Sequence, residues 1–278
     1  MRKLLSANFS RLWKSKVFWL LEVGTLLFSI VAYLLVGINV KNMGVQWILK
    51  NANFYLFFVL LYVSVLTAIF SSIFLGTEYS DGTLRNKLTV GHSRRDIYLS
   101  NWVVNAAITT IFIMTHYVVA VVIGIPLGGM TVISEIDHLL LKFVFSFIIA
   151  LTYTSIFTMT TMLDSNKARC AIVSILTALL LIIVAFFLFS ALEQPELKYQ
   201  MIQQSDGSYL MDEHVPNPRY VGGNMRIVYT ILESIMPTAF ALRIASDSIS
   251  YYHLIGCAML SVLLTIIGMA MFKKKDIK

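Results

Sequence analysis

The sequence predicts an all-α integral membrane protein with six transmembrane helices. Of its 278 residues, 58% are hydrophobic and only 13% are charged, whereas a soluble domain carries about 25% charged residues. The apolar residues also fall in runs of about 20, the length that an α-helix needs to cross about 30 Å of hydrocarbon. The bilayer is therefore the predicted solvent for most of the chain.

An amphipathic helix is predicted at residues 1–16, before the first apolar run. Leu5, Phe9, Leu12 and Trp13 share one helical face, and basic residues occupy much of the remainder. This pattern is typical of a helix that lies in the membrane interface. The same positive charges also suit a simple flank that orients the first span, and the two roles are compatible.

Six spans follow, at residues 17–38, 54–75, 102–124, 139–162, 170–192 and 252–272. Of the 22 lysine and arginine residues, 15 fall on one side of this predicted topology and 7 on the other. The positive-inside rule then places both termini in the cytosol of a multi-pass cell-membrane protein. The net charge of +7 flanks apolar runs and forms no stripe with interleaved aromatic residues, so no nucleic-acid partner is predicted.

The largest segment outside the predicted spans is 193–251, which this topology makes extracellular. Its first part is polar and rich in proline and glycine. Its second part is apolar, but it contains Glu233 and Arg243, and a seventh span would move the basic tail to the outside. We therefore predict two short re-entrant helices in the outer leaflet, with a hinge at Pro237, buried against protein.

The segment 76–101 is the longest predicted cytosolic loop, and its residues are unusual for a connector. Glu78 and Asp81 precede Gly82, and the hydroxyl of Thr83 is expected to cap the turn that follows. The apolar residues of the segment indicate packing against another surface, while its basic residues suit a partner or anionic headgroups. Composition alone, however, favours a plain loop that follows the positive-inside rule.

The order of residues in this segment resembles the signature of ABC-2 type transporter permeases. The pattern comprises Glu78, Tyr79, Gly82, Thr83, Leu84, Arg85 and Leu88, followed by Ser93, Arg94 and Ile97. In that family it lies between the second and third spans, as it does here, and the resemblance extends from the basic amphipathic start to the basic tail. Gly91-His92 replace a common proline and Asn101 replaces a frequent lysine, which affects detailed contacts only.

This resemblance implies the membrane-spanning subunit of a bacterial ABC exporter. Residues 78–95 would form a coupling helix that docks on a separate ATPase subunit, expected in two copies, and a second permease would complete a homodimer or heterodimer. ATP and Mg would bind to the ATPase, because this chain has no G-x-x-x-x-G-K-S/T phosphate loop and is not expected to be an enzyme. No cofactor is expected in the chain, and its histidines and cysteines lack metal-ligand spacing.

Two ionisable residues inside the predicted spans, Glu22 and His116, are candidates for a functional role by their position. Each also has a simpler explanation. Glu22 is close to the cytosolic face, where it can snorkel or pair with a basic neighbour. His116 can donate a hydrogen bond to an adjacent helix. The sequence leaves both alternatives open.

The expected substrate is a hydrophobic or amphipathic peptide, because compact permeases with an outer segment of this length resemble those that serve peptide export or antimicrobial self-protection. Efflux of drugs, other small molecules or ions is one alternative. A non-transporting membrane protein for immunity or sensing is another. An intramembrane protease would need paired ligands such as H-E-x-x-H, which this sequence lacks.

Overall fold

The computed structural model describes residues 1–43, 54–128, 136–203, 209–248 and 251–276. Residues 204–208 and 249–250, in the predicted extracellular segment, lie outside this described part. The helices in chain order are α1 (Arg2–Trp13), α2 (Lys16–Met43), α3 (Val59–Ser80), α4 (Thr83–Thr89), α5 (Arg94–Val119), α6 (Ile125–Gly128), α7 (Ile136–Leu163), α8 (Lys167–Leu192), α9 (Gly223–Ile235), α10 (Pro237–Ala245) and α11 (Tyr251–Lys274). A π-helical turn, Ala120–Gly124, joins α5 to α6.

Six of the described helical segments are long and apolar enough to cross a bilayer, and they correspond to α2, α3, α5, α7, α8 and α11. The predicted all-α class with six spans is confirmed. Burial distinguishes the central helix from the outer ones. In an apolar stretch of 18 residues within each span, 67% is buried inside the protein for the span that contains α3, against 22% for α2 and α8 and 17% for α11. The span that contains α3 therefore forms the centre of the bundle.

Hydroxyl groups stabilise the packing around α3. The Thr67 and Thr109 hydroxyls lie 3.1 Å apart, which links α3 to α5. Tyr153 of α7 donates its hydroxyl hydrogen to the carbonyl of Leu60 at 3.0 Å. Small and hydroxyl-bearing residues are typical of helix contacts in membranes, because they allow close approach and satisfy polar groups inside apolar surroundings.

The helices on either side of the segment 76–101 extend into it beyond the ends of the predicted spans. Helix α3 continues to Ser80 and α5 begins at Arg94, so most of this predicted loop is helical. Ser93 begins α5 by accepting a hydrogen bond from the backbone N–H of Asp96 at 3.0 Å. Between the two long helices lie only the turn at Gly82, the short helix α4 and a second turn at Gly91.

The six spans return the chain to the side on which it began. Helix α1, helix α4 and the residues after α11 therefore lie at one end of the bundle, which we call the basic end. The opposite end, the hairpin end, carries strands β1 (Leu197–Gln203) and β2 (Tyr209–Pro216), which pair antiparallel with Gln203 opposite Tyr209. These strands were not predicted from the sequence.

Helices α9 and α10 meet at a bend of 91° at the hairpin end. Pro237 is the first residue of α10, a position where its missing N–H leaves no hydrogen bond unmade. The chain therefore breaks where the sequence indicated. Helix α9 also packs closely on α11, since a Cβ atom at Gly256 would lie only 2.3 Å from the carbonyl oxygen of Ser234.

Candidate functional site

A fully buried carboxylate, that of Glu78, lies at the centre of the basic end, in the last turns of α3. Its Oε1 atom is 2.7 Å from Nη2 of Arg11 and 2.6 Å from Nζ of Lys87. Asn101 donates a hydrogen bond from Nδ2 to Oε2 at 3.1 Å. Both carboxylate oxygens are therefore satisfied, and one negative charge is balanced by two cations from α1 and α4, which offsets its loss of hydration.

Asn8 of α1 extends this arrangement into a network. Its Oδ1 accepts a hydrogen bond from Nζ of Lys87 at 2.9 Å, and its Nδ2 donates to Oδ1 of Asn101 at 2.8 Å. The guanidinium of Arg11 also lies 3.9 Å from the ring centroid of Phe74. The network thus joins α1, α3, α4 and α5. We call Asn8, Arg11, Glu78, Lys87 and Asn101 the clamp.

The turn between α3 and α4 depends on Gly82. Its φ of +66° is in the left-handed region, where a residue with a Cβ atom costs about 1–2 kcal/mol. The expected N-cap role of the Thr83 hydroxyl is wrong, because Gly82 is the N-cap residue and no side chain caps α4. The Thr83 hydroxyl instead donates to the carbonyl of Glu78 at 3.3 Å, satisfying an open carbonyl at the end of α3.

Helix α4 has one face inside the protein and one face outside. Leu84 is buried in the core, and Leu88 is partly buried against it. Four residues of the opposite face are exposed, and we call them the α4 face: Arg85, Asn86, Thr89 and Val90. Val90, at the end of this short helix, is 76% exposed and gives the α4 face an apolar side chain.

Tyr79 connects α3 to two other parts of the basic end. Its hydroxyl donates to the carbonyl of Met162 in α7 at 2.5 Å. The Lys275 ammonium donates to the same carbonyl at 3.1 Å and to the Tyr79 hydroxyl at 2.9 Å. Burial lowers the pKa of Lys275 to about 8, because these neutral acceptors do not replace the water that the ammonium loses.

Arg94 is held by the last helix. Its Nη1 atom donates to the carbonyl of Phe272 at 3.2 Å and also to the carbonyl of Lys275. A cation at this position satisfies open carbonyls and interacts favourably with the negative end of the α11 dipole. The signature residues therefore divide into two groups. Glu78, Tyr79, Leu84 and Arg94 contact their own chain, and Arg85 faces outward.

His116 is buried between helices and makes several contacts. Its Nδ1 atom is 2.8 Å from the Ser29 hydroxyl, and its Nε2 atom is 3.3 Å from the Tyr33 hydroxyl and 3.2 Å from the carbonyl of Tyr55. Both ring nitrogens thus have partners, as the simpler explanation for this residue requires.

Glu22 is half-buried in α2, and its two oxygens differ. The Thr115 hydroxyl donates to Oε1. In the part of the chain that the structure describes, Oε2 has no hydrogen-bond partner. Within the same part, no group of three or more histidine, cysteine, aspartate and glutamate side chains is arranged to hold a metal ion.

Sequence reasoning missed the contribution of α1 to the clamp, in which Asn8 binds Lys87 and Asn101. A signal was present, because Leu4, Asn8 and Leu12 recur at intervals of four residues and are the buried residues of α1. An asparagine in the middle of an apolar helical stripe indicates a polar partner inside the protein. The identity of that partner, more than 60 positions away, could not be read from the pattern.

Comparison with known families gave one match that covers the clamp. The family described as "ABC-2 family transporter protein" matches residues 4–185, which is more than half of the chain. The matched range includes most of α1, both long helices that border α4, and α4 itself. A comparison with curated proteins gave no match.

Proposed function

The chain belongs to the ABC-2 family of transporter proteins, and we propose that it is an exporter permease driven by a separate ATPase that docks on the α4 face. The observation that carries this proposal is the clamp. A helix of seven residues is too short to be stable alone in water. Helix α4 is nevertheless fixed, because Lys87 binds Glu78 and Asn8, and Leu84 is buried in the core.

A fixed α4 can transmit motion to the spans. Displacement of the α4 face by an ATPase would pull on α3 through Glu78 and on α5 through Asn101. Rigid helices that move together convert a small shift at one site into a rearrangement elsewhere. The exposed Val90 supplies an apolar anchor, and Arg85 supplies a charge, as is common at protein interfaces. ATP and Mg would bind to the ATPase.

We place the basic end in the cytosol, because lysine and arginine are concentrated there. We also propose that two ATPase subunits serve two permeases, this chain and a second copy or a related chain. The broad exposed apolar faces of α2 and α8 support such pairing, since few of their residues are buried within one chain.

The proposed substrate is a hydrophobic or amphipathic peptide. Glu22 supports this choice, because it is a half-buried carboxylate whose buried Oε2 atom has no hydrogen-bond partner among the described residues, on a span whose neighbouring side chains are apolar and exposed. An amphipathic peptide with a positive charge would suit both features. Drugs, other small molecules or ions remain the alternative substrates, and a non-transporting immunity or sensor role remains the alternative function.

A photo-crosslinking experiment tests the docking surface. Benzoylphenylalanine is introduced at Val90 in the full chain, and at Val121 as a control that is 60% exposed but lies within a predicted span. In host membranes, ultraviolet light should link Val90 to a polypeptide whose peptides, identified by mass spectrometry, include G-x-x-x-x-G-K-S/T. A phosphate-loop protein crosslinked equally at both positions, or at neither, would contradict the proposal.

Transport chemistry is tested with the ATPase identified in this way. The permease purified alone in lipid should hydrolyse no ATP. A synthetic cationic amphipathic peptide should stimulate ATP hydrolysis by the complex of the permease with the ATPase. Glu22→Gln should weaken that stimulation, whereas Glu193→Gln, outside the spans, should not. Stimulation by lipophilic drugs and not by the peptide would favour the small-molecule alternative. Absence of any stimulation would favour immunity or sensing.

A further inference from the structure

A groove lies between the first turn of α5 and the last turns of α11, at the basic end. Its volume is about 610 Å³. Seven residues line it: Ser93, Arg94, Arg95, Ile266, Met269, Ala270 and Lys273. None of these lining residues belongs to the clamp or to the α4 face, so the proposed docking of an ATPase does not account for the groove.

The residues that α11 contributes follow helical spacing. Ile266, Met269, Ala270 and Lys273 are separated by three, one and three positions, so they occupy one face. This face is apolar for about one turn and ends in the cation of Lys273, about 10 Å from Ile266 along the helix axis. Ile266 is 57% exposed, and Ala270 and Lys273 are exposed as well. The groove therefore opens to the surroundings of the bundle.

The charges of the groove are one-sided. Arg94, Arg95 and Lys273 are basic, Ser93 adds a hydroxyl, and no acidic residue occurs among the described residues that line it. Arg94 is oriented by its hydrogen bonds to the carbonyls of Phe272 and Lys275. Arg95 and Lys273 are exposed, so their charged groups are accessible to a ligand.

We propose that this groove binds an acidic phospholipid. The phosphate would lie among Arg95, Lys273 and Ser93, and an acyl chain would follow Ile266, Met269 and Ala270. Guanidinium groups suit phosphate geometry, and clustered basic residues beside a span attract anionic headgroups. The apolar wall below the cations distinguishes this occupant from a free phosphate, which would leave that wall unmatched. The site does not depend on the transport activity proposed above; its assignment to the cytosolic leaflet rests only on the proposed placement of the basic end in the cytosol.

Native mass spectrometry of the full chain in detergent tests the site. With phosphatidylglycerol added, the protein should retain one lipid per chain, and with phosphatidylcholine it should retain none at the same concentration. Arg95→Gln combined with Lys273→Gln should weaken phosphatidylglycerol binding roughly 30-fold, since each basic residue contributes on the order of 1 kcal/mol. The matched control, Lys3→Gln combined with Lys274→Gln, removes two charges from the same end and should bind as the wild type does.

Ala270→Trp separates the acyl contact from the charges. It should fill the groove and reduce phosphatidylglycerol binding while all three cations remain, and a monodisperse size-exclusion peak shows that the variant is folded. Glycerol 3-phosphate, which has the headgroup chemistry without acyl chains, should not compete. Equal lipid retention in the double variant and its control would overturn the proposal. Competition by glycerol 3-phosphate at the lipid's own concentration would also overturn it, because the site would then need no acyl chain.

Discussion

Glu78 at the basic end and Glu233 at the hairpin end are both buried carboxylates that pair with arginine. Their partners come from different distances along the chain. Glu78 is bound by residues of α1, α4 and α5. Glu233 of α9 is bound across the bend by Arg243 of α10 at 2.8 Å, and Nε2 of His253 in α11 is 3.4 Å away.

The balance of charge also differs between the two ends. Glu78 has two cations to itself, Arg11 and Lys87. Arg243 is shared, because it binds both Glu233 and Glu193, and Glu193 is 50% exposed. At the basic end both cations pair with the same carboxylate, although Arg11 is 32% exposed, whereas Arg243 at the hairpin end also binds a second carboxylate that is in contact with water. This difference predicts that loss of the carboxylate costs more at the basic end, where two cations would be left without a counter-charge, than at the hairpin end.

The largest expected effect is that of Glu78→Ala. This change leaves Arg11 and Lys87 partly buried without their counter-charge, which should lower the free energy of unfolding by about 3–5 kcal/mol. Thermal unfolding of the purified chain measures the loss. Arg85→Ala, at an exposed position of α4, should change stability by less than about 0.5 kcal/mol. Equal stability of the two variants would show that the clamp does not hold the basic end.

Glu233→Gln should have a smaller effect at the hairpin end. Arg243 keeps Glu193 as a partner, and the glutamine side chain preserves the shape of the site, so a loss of about 1–3 kcal/mol is expected. Glu193→Gln is the control, because removal of a half-exposed ion pair should cost under about 1 kcal/mol. If Glu233→Gln were as damaging as Glu78→Ala in the same unfolding assay, the contrast between the two ends would be lost.

The turn at Gly82, which positions α4, should tolerate substitution by alanine less well than an ordinary glycine site does. Gly82→Ala introduces a Cβ atom that meets no neighbour within 4 Å, so the expected loss of about 1–2 kcal/mol comes from the backbone alone. Gly24→Ala is a matched control in α2, where a Cβ atom also meets nothing within 4 Å. That change should be neutral or should stabilise the helix by up to about 1 kcal/mol. The same response from both would exclude strain at Gly82.

The smallest expected effect is a dependence on pH at the basic end. The pKa of Lys275 is about 8 in the folded chain, below its ordinary value of 10.5. Between these values the unfolded chain binds more protons, so stability should rise with pH. Because the ammonium is only half-buried, the rise should be small. In Lys275→Met, the melting temperature should no longer rise between pH 7.5 and 9.5. In Lys274→Met, at an exposed position, it should still rise. An unchanged dependence on pH in Lys275→Met would contradict the assignment.

The spans and the bend could be predicted because their signals are local. A run of about 20 apolar residues is sufficient for a span, and Pro237 cannot continue the helix that precedes it. The start of α5 was also readable in principle, since Ser93 followed by Asp96 suits an N-cap. It was missed because the apolar run that defined the third span begins several residues later.

The clamp could not be predicted, because its contacts join residues far apart in sequence. Asn8 and Asn101 are 93 positions apart, and nothing in the periodicity of α1 identifies α5 as its neighbour. The signature identified Glu78 as important, but it did not show that the side chain is buried. The strands β1 and β2 were missed for another reason. The residues from Leu197 to Met201 of β1 do alternate between apolar and polar, but β2 shows no such alternation, and the proline and glycine residues that follow it are typical of an irregular loop.

Helix α11 is in contact with partners at both of its ends. Arg94 binds its last carbonyls at the basic end, and Gly256 lies against the backbone of α9 at the hairpin end. With 24 residues it spans about 36 Å. It therefore connects the two ends along the outside of the bundle. A displacement of the first turn of α5 would reach the bend between α9 and α10 through α11, without passing through α3. A protein domain fused directly after Lys275 would exert force on α11, and a flexible linker between them would prevent this.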